Sequence, residues 1–298
     1  MSTQQESVLE NVGLDEDWWL DNQYNQGKHN FYTIPSVING QGRYTKWWGD
    51  YWFGQDPDQY GKRGTKGYYV WGGSSFPQFD SIFDPTKTVE QTTNGPLLKV
   101  IPQPNDAPLT AELVMDDRFG FGYYAVTVTG NDLGNLDPNV VLGIFTYQFG
   151  ASAGNPNVDN VHREIDLLET IAGYQQTNDP NNAQFALQPA RVDGGKLISG
   201  ERFKIPNGTN KLTTFMSWSK NNVLFRIYTG EPTFEEMKND YPAKKAFASW
   251  QDISSSKVPD PKNERMHINF YVPNGRKGKG QPRSEQRVTI TKFQYEST

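Results

Sequence analysis

The 298-residue chain contains no cysteine. A disulfide framework, a thiolate metal site and a thiol nucleophile are therefore excluded, and cysteine usage leaves the redox compartment open. Histidine is scarce as well. The three that occur, His29, His162 and His267, are widely separated, which gives little support to a zinc site or a Ser-His-Asp triad. Long apolar runs are also missing. VVLGIFTY, from Val140 to Tyr147, falls far short of the roughly 20 residues that cross a bilayer as a helix, so no membrane contact is expected. The net charge is −5 and the basic residues are scattered, so nucleic acid drops out as a partner.

Aromatic residues are plentiful, at 13% of the chain. The mean hydropathy is nevertheless −0.74, so many Trp and Tyr are expected at exposed or half-buried positions, a composition suited to sugar binding. The start, MSTQQESVLENVGLDEDWW, has neither the basic n-region nor the apolar h-region of a secretory signal. Either the protein is cytoplasmic or an export signal has already been trimmed. Residues 1–26 are polar and acidic without periodicity and read as a leader. Residues 27–298 are expected to form a single domain, and a monomer.

From Phe31 to Trp71 the chain is aromatic and broken by glycine, which predicts loops and short strands. Beyond Pro85 the cadence is all-β: GPLLKVIPQP, APLTAELVMDD, FGYYAVTVTG, NVVLGIFTYQF, HREIDLLETIAG, LTTFMSWS, NNVLFRIYTG, MHINFYVPNG and RVTITKFQY. In FGYYAVTVTG, Tyr124, Val126 and Val128 alternate with Ala125, Thr127 and Thr129, the period of a half-buried strand. One helix is expected in PTFEEMKNDY, with Pro232 at its start and Pro242 as its stop. Many short antiparallel strands define an all-β fold, a jelly-roll sandwich of two antiparallel sheets.

The sharpest signal is Glu164-Ile165-Asp166-Leu167-Leu168-Glu169. Alternation puts Glu164 and Asp166 on one face, with Ile165 and Leu167 on the other. A regular strand would then send Glu169 into the core, where an unpaired ionised carboxylate costs several kcal/mol. A bulge at Leu167–Leu168 removes the conflict by shifting the phase one residue. Like charges on one face oppose folding unless they share protons or meet a cation or substrate. A retaining glycosidase uses such a pair, an ionised nucleophile and a protonated acid with carboxyls roughly 5–5.5 Å apart. Glu164 as nucleophile, Glu169 as acid/base and Asp166 as their hydrogen-bonding partner fit those roles. Their backbones lie roughly 13 Å apart along a strand, so both side chains must lean inward. A solvated acidic edge, or a Ca²⁺ site, remains an equal alternative from spacing alone.

These residues resemble glycoside hydrolase family 16, with laminarinases, agarases and carrageenases, in the bulged form of its signature, Glu-x-Asp-x-x-Glu. TAELVMDDRFGFGYYAVTVTG and VVLGIFTYQF resemble the strands before the site. NAQFALQPA, FMSWSKNNVLFRIYTG, ERMHINFYVPNG and VTITKFQY resemble those after it. The likeness runs from about Ser75 to the C-terminus. It implies a concanavalin A-like β-jelly roll whose concave sheet forms a cleft. It also implies retaining endo-hydrolysis of a β-linked polysaccharide, most simply a β-1,3 or mixed-linkage glucan. An algal galactan such as agar, porphyran or carrageenan is the rival substrate, and a non-catalytic glycan-binding jelly roll the rival class. No cofactor is implied, a structural Ca²⁺ is compatible, and an exported protein would be extracellular or periplasmic. The chain departs from the family at Tyr271, where Trp is common, and at Ala186, where some members have Asn.

Candidate substrate contacts follow from face and chemistry. His162 precedes Glu164 by two and shares its face. Trp218 can stack on a sugar ring and donate from its indole nitrogen, with core packing as the equal alternative. Trp48 and Trp52, in a polar context with Trp47 and Tyr51, suggest a cleft platform. Tyr147, beside Phe149, and Asn269 with Tyr271 reach the cleft if alternation places them there. GRKGKG, over Gly275–Gly280, lacks the Walker spacing and the following Ser or Thr, and reads as a basic rim loop. There Arg276, Lys277 and Lys279 would meet a sulfated substrate. Asn207-Gly208-Thr209 matches a glycosylation sequon.

Overall fold

Alternating apolar residues need a second layer to cover them, and here two antiparallel sheets cover each other. The computed structural model describes residues 31–32, 45–47, 50–55, 68–69, 79–83, 85–105, 107–147, 163–171, 179–188, 190, 192–193, 196–239, 246–253, 257–262, 264–273 and 280–298. The leader at 1–26, His29, Trp48, Phe149, His162, the glycine-to-lysine stretch 275–279 and the helix stop Pro242 lie outside them.

Among the described residues, the front sheet has ten strands and the back sheet seven. The front sheet runs in the order Phe31–Tyr32, Asp50–Gln55, Leu109–Arg118, Arg265–Tyr271, Val141–Tyr147, Ile165–Thr170, Ala183–Leu187, Gly200–Phe203. The back sheet runs Ala246–Asp252, Asn222–Thr229, Lys211–Ser219, Gly122–Thr129, Gln286–Ser297, Gly95–Val100, Val89–Thr92. Neighbours are antiparallel, except that Ile82–Phe83 lies parallel to the start of Leu109–Arg118. The acidic strand Ile165–Thr170 is interior to the front sheet, held between Val141–Tyr147 and Ala183–Leu187.

The core fills the space between the sheets. Leu142, Ile144, Leu167, Leu168, Ile268 and Phe270 from the front meet Tyr124, Val126, Met216, Trp218 and Phe225 from the back. Each large side chain so covered contributes roughly 1.5–3 kcal/mol. Trp218 is thus a core residue, not a cleft residue, on the covered face of its strand. Its ring meets Phe121 edge-on at 5.5 Å. Its indole nitrogen donates to the Pro259 carbonyl at 3.1 Å, so the polar tip is satisfied without a sugar.

Gly122–Thr129 is buried on both faces, not one. Ala125 packs outward against Phe215, Tyr228 and Met237. Met237 belongs to the short helix Phe234–Lys238, which lies in the predicted segment but starts two residues later than Pro232 suggests. Thr233 is the cap: its hydroxyl accepts from the Glu236 amide at 3.3 Å, and the Glu236 carboxylate accepts from the Thr233 amide at 2.8 Å. The Gly-broken segment before Ser75 supplies short strands, as its pattern predicts, and Trp52 stands opposite Met115 at the edge of the front sheet. That segment, outside the family likeness, therefore extends the sheet that carries the carboxylates.

Candidate active site

The bulge falls at the two leucines. On one side Asp166 faces Phe145, Leu168 faces Ile144 and Glu169 faces Gly143. On the other, Asp166 faces Ala186 and Glu169 faces Gln184, so Leu167 and Leu168 together oppose one residue. Both leucines are fully buried in the core, and Glu169 returns to the face of Asp166. Thr214, on the back sheet, donates its hydroxyl to the Leu167 carbonyl at 2.6 Å across the interior.

A second local device sets the entry to the strand. Arg163 has φ of 53°, the left-handed region, which costs an ordinary residue about 1–2 kcal/mol. The Thr146 hydroxyl donates to the Arg163 carbonyl at 2.9 Å and accepts from the Ile165 amide at 3.2 Å. This clamp fixes the backbone on both sides of Glu164, which is 2% exposed.

Two glutamines from the neighbouring strand then orient the carboxyls. Gln184 Nε2 donates to Glu169 Oε2 at 2.8 Å, and Gln188 Nε2 donates to Asp166 Oδ2 at 2.8 Å. The Gln188 amide is held in that sense because its Oε1 accepts from the Ala190 amide at 2.7 Å. Asp166 Oδ1 is buried and has no hydrogen-bond partner among the described residues.

Burial and mutual repulsion keep protons in this group. Glu164 is held well above the ordinary carboxylate range, by burial first and then by the charges of Asp166 and Glu169. Burial and the Glu169 charge raise Asp166, against the pull of the Gln188 hydrogen bond. The Glu169 carboxyl is pushed up to about 7 by burial, with the Gln184 hydrogen bond and the Arg202 charge opposing. Three carboxyls that sense one another in this way share fewer than three charges at neutral pH.

The same face carries a second polar group two strands away. His267 Nδ1 lies 2.9 Å from Glu112 Oε1, and both side chains are fully buried. Phe145 stacks on the His267 ring at 5.2 Å, and Tyr147 meets it edge-on at 5.8 Å. Burial raises the Glu112 carboxyl. Asn269 stands opposite Gly143, and its Oδ1 accepts from the Gly143 amide at 3.0 Å. A side chain at Gly143 would collide with that amide group.

The structure therefore brings Tyr147, Asn269 and Tyr271 onto the face of Glu164, Asp166 and Glu169, all of them buried. It removes Trp218 to the core and places Trp52 on the sheet's outer strand region. Sequence reasoning missed Gln184, Gln188, Glu112 and His267. Their signal was present: Gln184, Ala186 and Gln188 alternate beside the acidic strand, and Glu112 interrupts an apolar run between Ala111 and Leu113.

Fold and face together define an antiparallel β-sandwich with three buried carboxyls on one face of a bulged interior strand. Among solved structures the chain is similar to a β-glucanase of Bacillus licheniformis, with a TM-score of 0.52 and 14% identity, covering 92% of this chain and 100% of that one. It is also similar to a glycoside hydrolase family protein of Mycobacterium thermorestibile, with a TM-score of 0.53 and 15% identity, covering 90% of this chain and 98% of that one. No protein-family model matches the chain, and no curated protein matches it. At these identities the likeness establishes the jelly-roll sandwich fold.

Proposed function

We propose that the protein is a retaining endo-glycoside hydrolase acting on a β-linked polysaccharide, with a β-1,3 or mixed-linkage glucan as substrate. The observation that carries this reading is the bulge that returns Glu169 to the face of Asp166, beside a clamped Glu164. Folding gains nothing from three buried carboxyls on one face, whereas double displacement uses them all. The resemblance to glycoside hydrolase family 16, in the bulged form of its signature, and the shared fold with a β-glucanase point the same way.

In this mechanism the Glu164 carboxylate attacks the anomeric carbon as Glu169 gives its proton to the departing glycosidic oxygen. Glu169 then takes a proton from water, which attacks the glycosyl ester and releases Glu164. A group near 7 is suited to hold and return that proton around neutral pH. Asp166, with Oδ2 accepting from Gln188, holds the proton that the three coupled carboxyls retain. That leaves Glu164 the charge it needs for attack. The chemistry needs no cofactor. Among the described residues, no group of three or more His, Asp and Glu side chains is arranged to hold a metal ion.

The test is a 2-deoxy-2-fluoro-oligoglucosyl fluoride, which forms the glycosyl ester quickly and loses it slowly. Mass spectrometry should find one sugar adduct, on the peptide containing Glu164. An adduct elsewhere, or first release of the inverted anomer from a natural glycan, would overturn the mechanism.

A further inference from the structure

Arg202, Gln184 and Glu169 occupy one cross-strand row of the front sheet, Arg202 opposite Gln184 and Gln184 opposite Glu169. Arg202 Nη1 donates to Gln184 Oε1 at 3.1 Å, and Gln184 Nε2 donates onward to Glu169 Oε2 at 2.8 Å. A guanidinium has only donors, so the oxygen of the Gln184 amide must face Arg202 and its NH₂ must face Glu169. The guanidinium is itself anchored. Its Nη2 donates to the carbonyls of Ile171 at 3.1 Å and Asn181 at 3.0 Å, and its Nε pairs with Asp179. Asp179 in turn accepts from the Asn181 amide at 2.9 Å.

A proton on Glu169 Oε2 would meet the hydrogens of the Gln184 amide head-on. A flipped amide would do the opposite: its carbonyl oxygen would accept that proton and hold it on Oε2. We propose that Arg202 is a positioning residue for proton transfer, locking the Gln184 amide so that Glu169 Oε2 is always an acceptor and the transferable proton sits on Oε1. This rests on the reading of Glu169 as the acid/base group. Arg202 acts through Gln184 and touches no reacting atom.

The test replaces Arg202 by Met, which keeps its length and removes its donors, and by Lys, which keeps the charge without the fork. The carboxyl of Glu169 is followed by ¹³C NMR in the full-length protein, with Glu169→Gln giving the assignment. In Arg202→Met it should titrate higher than in the wild type by about one unit or more, with Arg202→Lys in between. Turnover of a natural glycan should fall about tenfold or more in Arg202→Met, while turnover of an aryl glycoside with a good leaving group holds. Should Arg202→Met fail to fold, Gln184→Leu tests the same link and must also raise the Glu169 titration. A titration unmoved in a folded variant, or equal loss on both substrates, would overturn the proposal. The titration needs no turnover, so the two readings separate. A shifted titration in a protein that hydrolyses neither substrate would remove the hydrolase and leave the Arg202–Gln184–Glu169 relay. An unshifted one beside an active wild type would remove the relay alone.

Discussion

Thr214 reaches across the core from the back sheet to donate to the carbonyl of Leu167 on the front sheet, at 2.6 Å. Both residues are buried, so the bond ties the bulge to the opposite sheet inside the core. The phase shift that unites Glu169 with Asp166 is thus held from the opposite layer. Thr214→Val keeps the shape and removes this buried hydrogen bond, and should cost about 1 kcal/mol in urea unfolding. Activity should fall further than that loss explains, because the register of Glu169 loosens. Unchanged stability would show that the bulge is held by the leucines alone.

Glu169→Gln should lower turnover of natural glycans by roughly 10²–10⁴-fold, the range for lost general acid catalysis. An aryl glycoside with a good leaving group needs no proton and should recover the first step. Steady-state rates on both substrates check this, and equal losses would move the acid role to another residue.

The raised carboxyls also set a pH dependence of stability. Glu169 titrates near 4.5 unfolded and about 7 folded, so the folded state binds its proton more tightly. Its contribution is full below 4.5 and is lost as pH rises to about 7, a change on the order of 3 kcal/mol. Glu164 and Asp166 act in the same sense, since both are raised. Denaturation midpoints should therefore fall from pH 4.5 to 7.5, and less steeply in Glu169→Gln. A rise over that interval would contradict the protonated trio.

Trp218→Phe should leave the Michaelis constant for any glycan unchanged, and Trp218→Ala should destabilise by about 3–5 kcal/mol as a large core deletion. Loss of sugar affinity in a stably folded Trp218→Phe would return this residue to the cleft.

The carboxylate strand was legible because burial cost and alternation conflict at one residue, Glu169, and a single bulge resolves both. For Tyr147, Asn269 and Tyr271 the two-residue period groups the side chains but leaves the face open, and the sheet pairing supplies it. Trp218 was not legible, since Ser217 and Ser219 leave the period clear but not which face is covered. Nor was the Glu112–His267 pair, whose members lie 155 positions apart and meet only because Leu109–Arg118 and Arg265–Tyr271 are sheet neighbours. The strained Arg163 has no sequence signal at all. Its conformation is fixed by Thr146 on the adjacent strand.

The central claim is tested most directly by reducing-end release from laminarin, mixed-linkage glucan, xyloglucan, agarose, carrageenan and porphyran, with wild type beside Glu164→Gln. The account predicts turnover of a β-glucan by the wild type and none by a variant that folds with the wild-type melting curve. Wild-type-like turnover by Glu164→Gln, or no release from any polymer by the wild type, would contradict it.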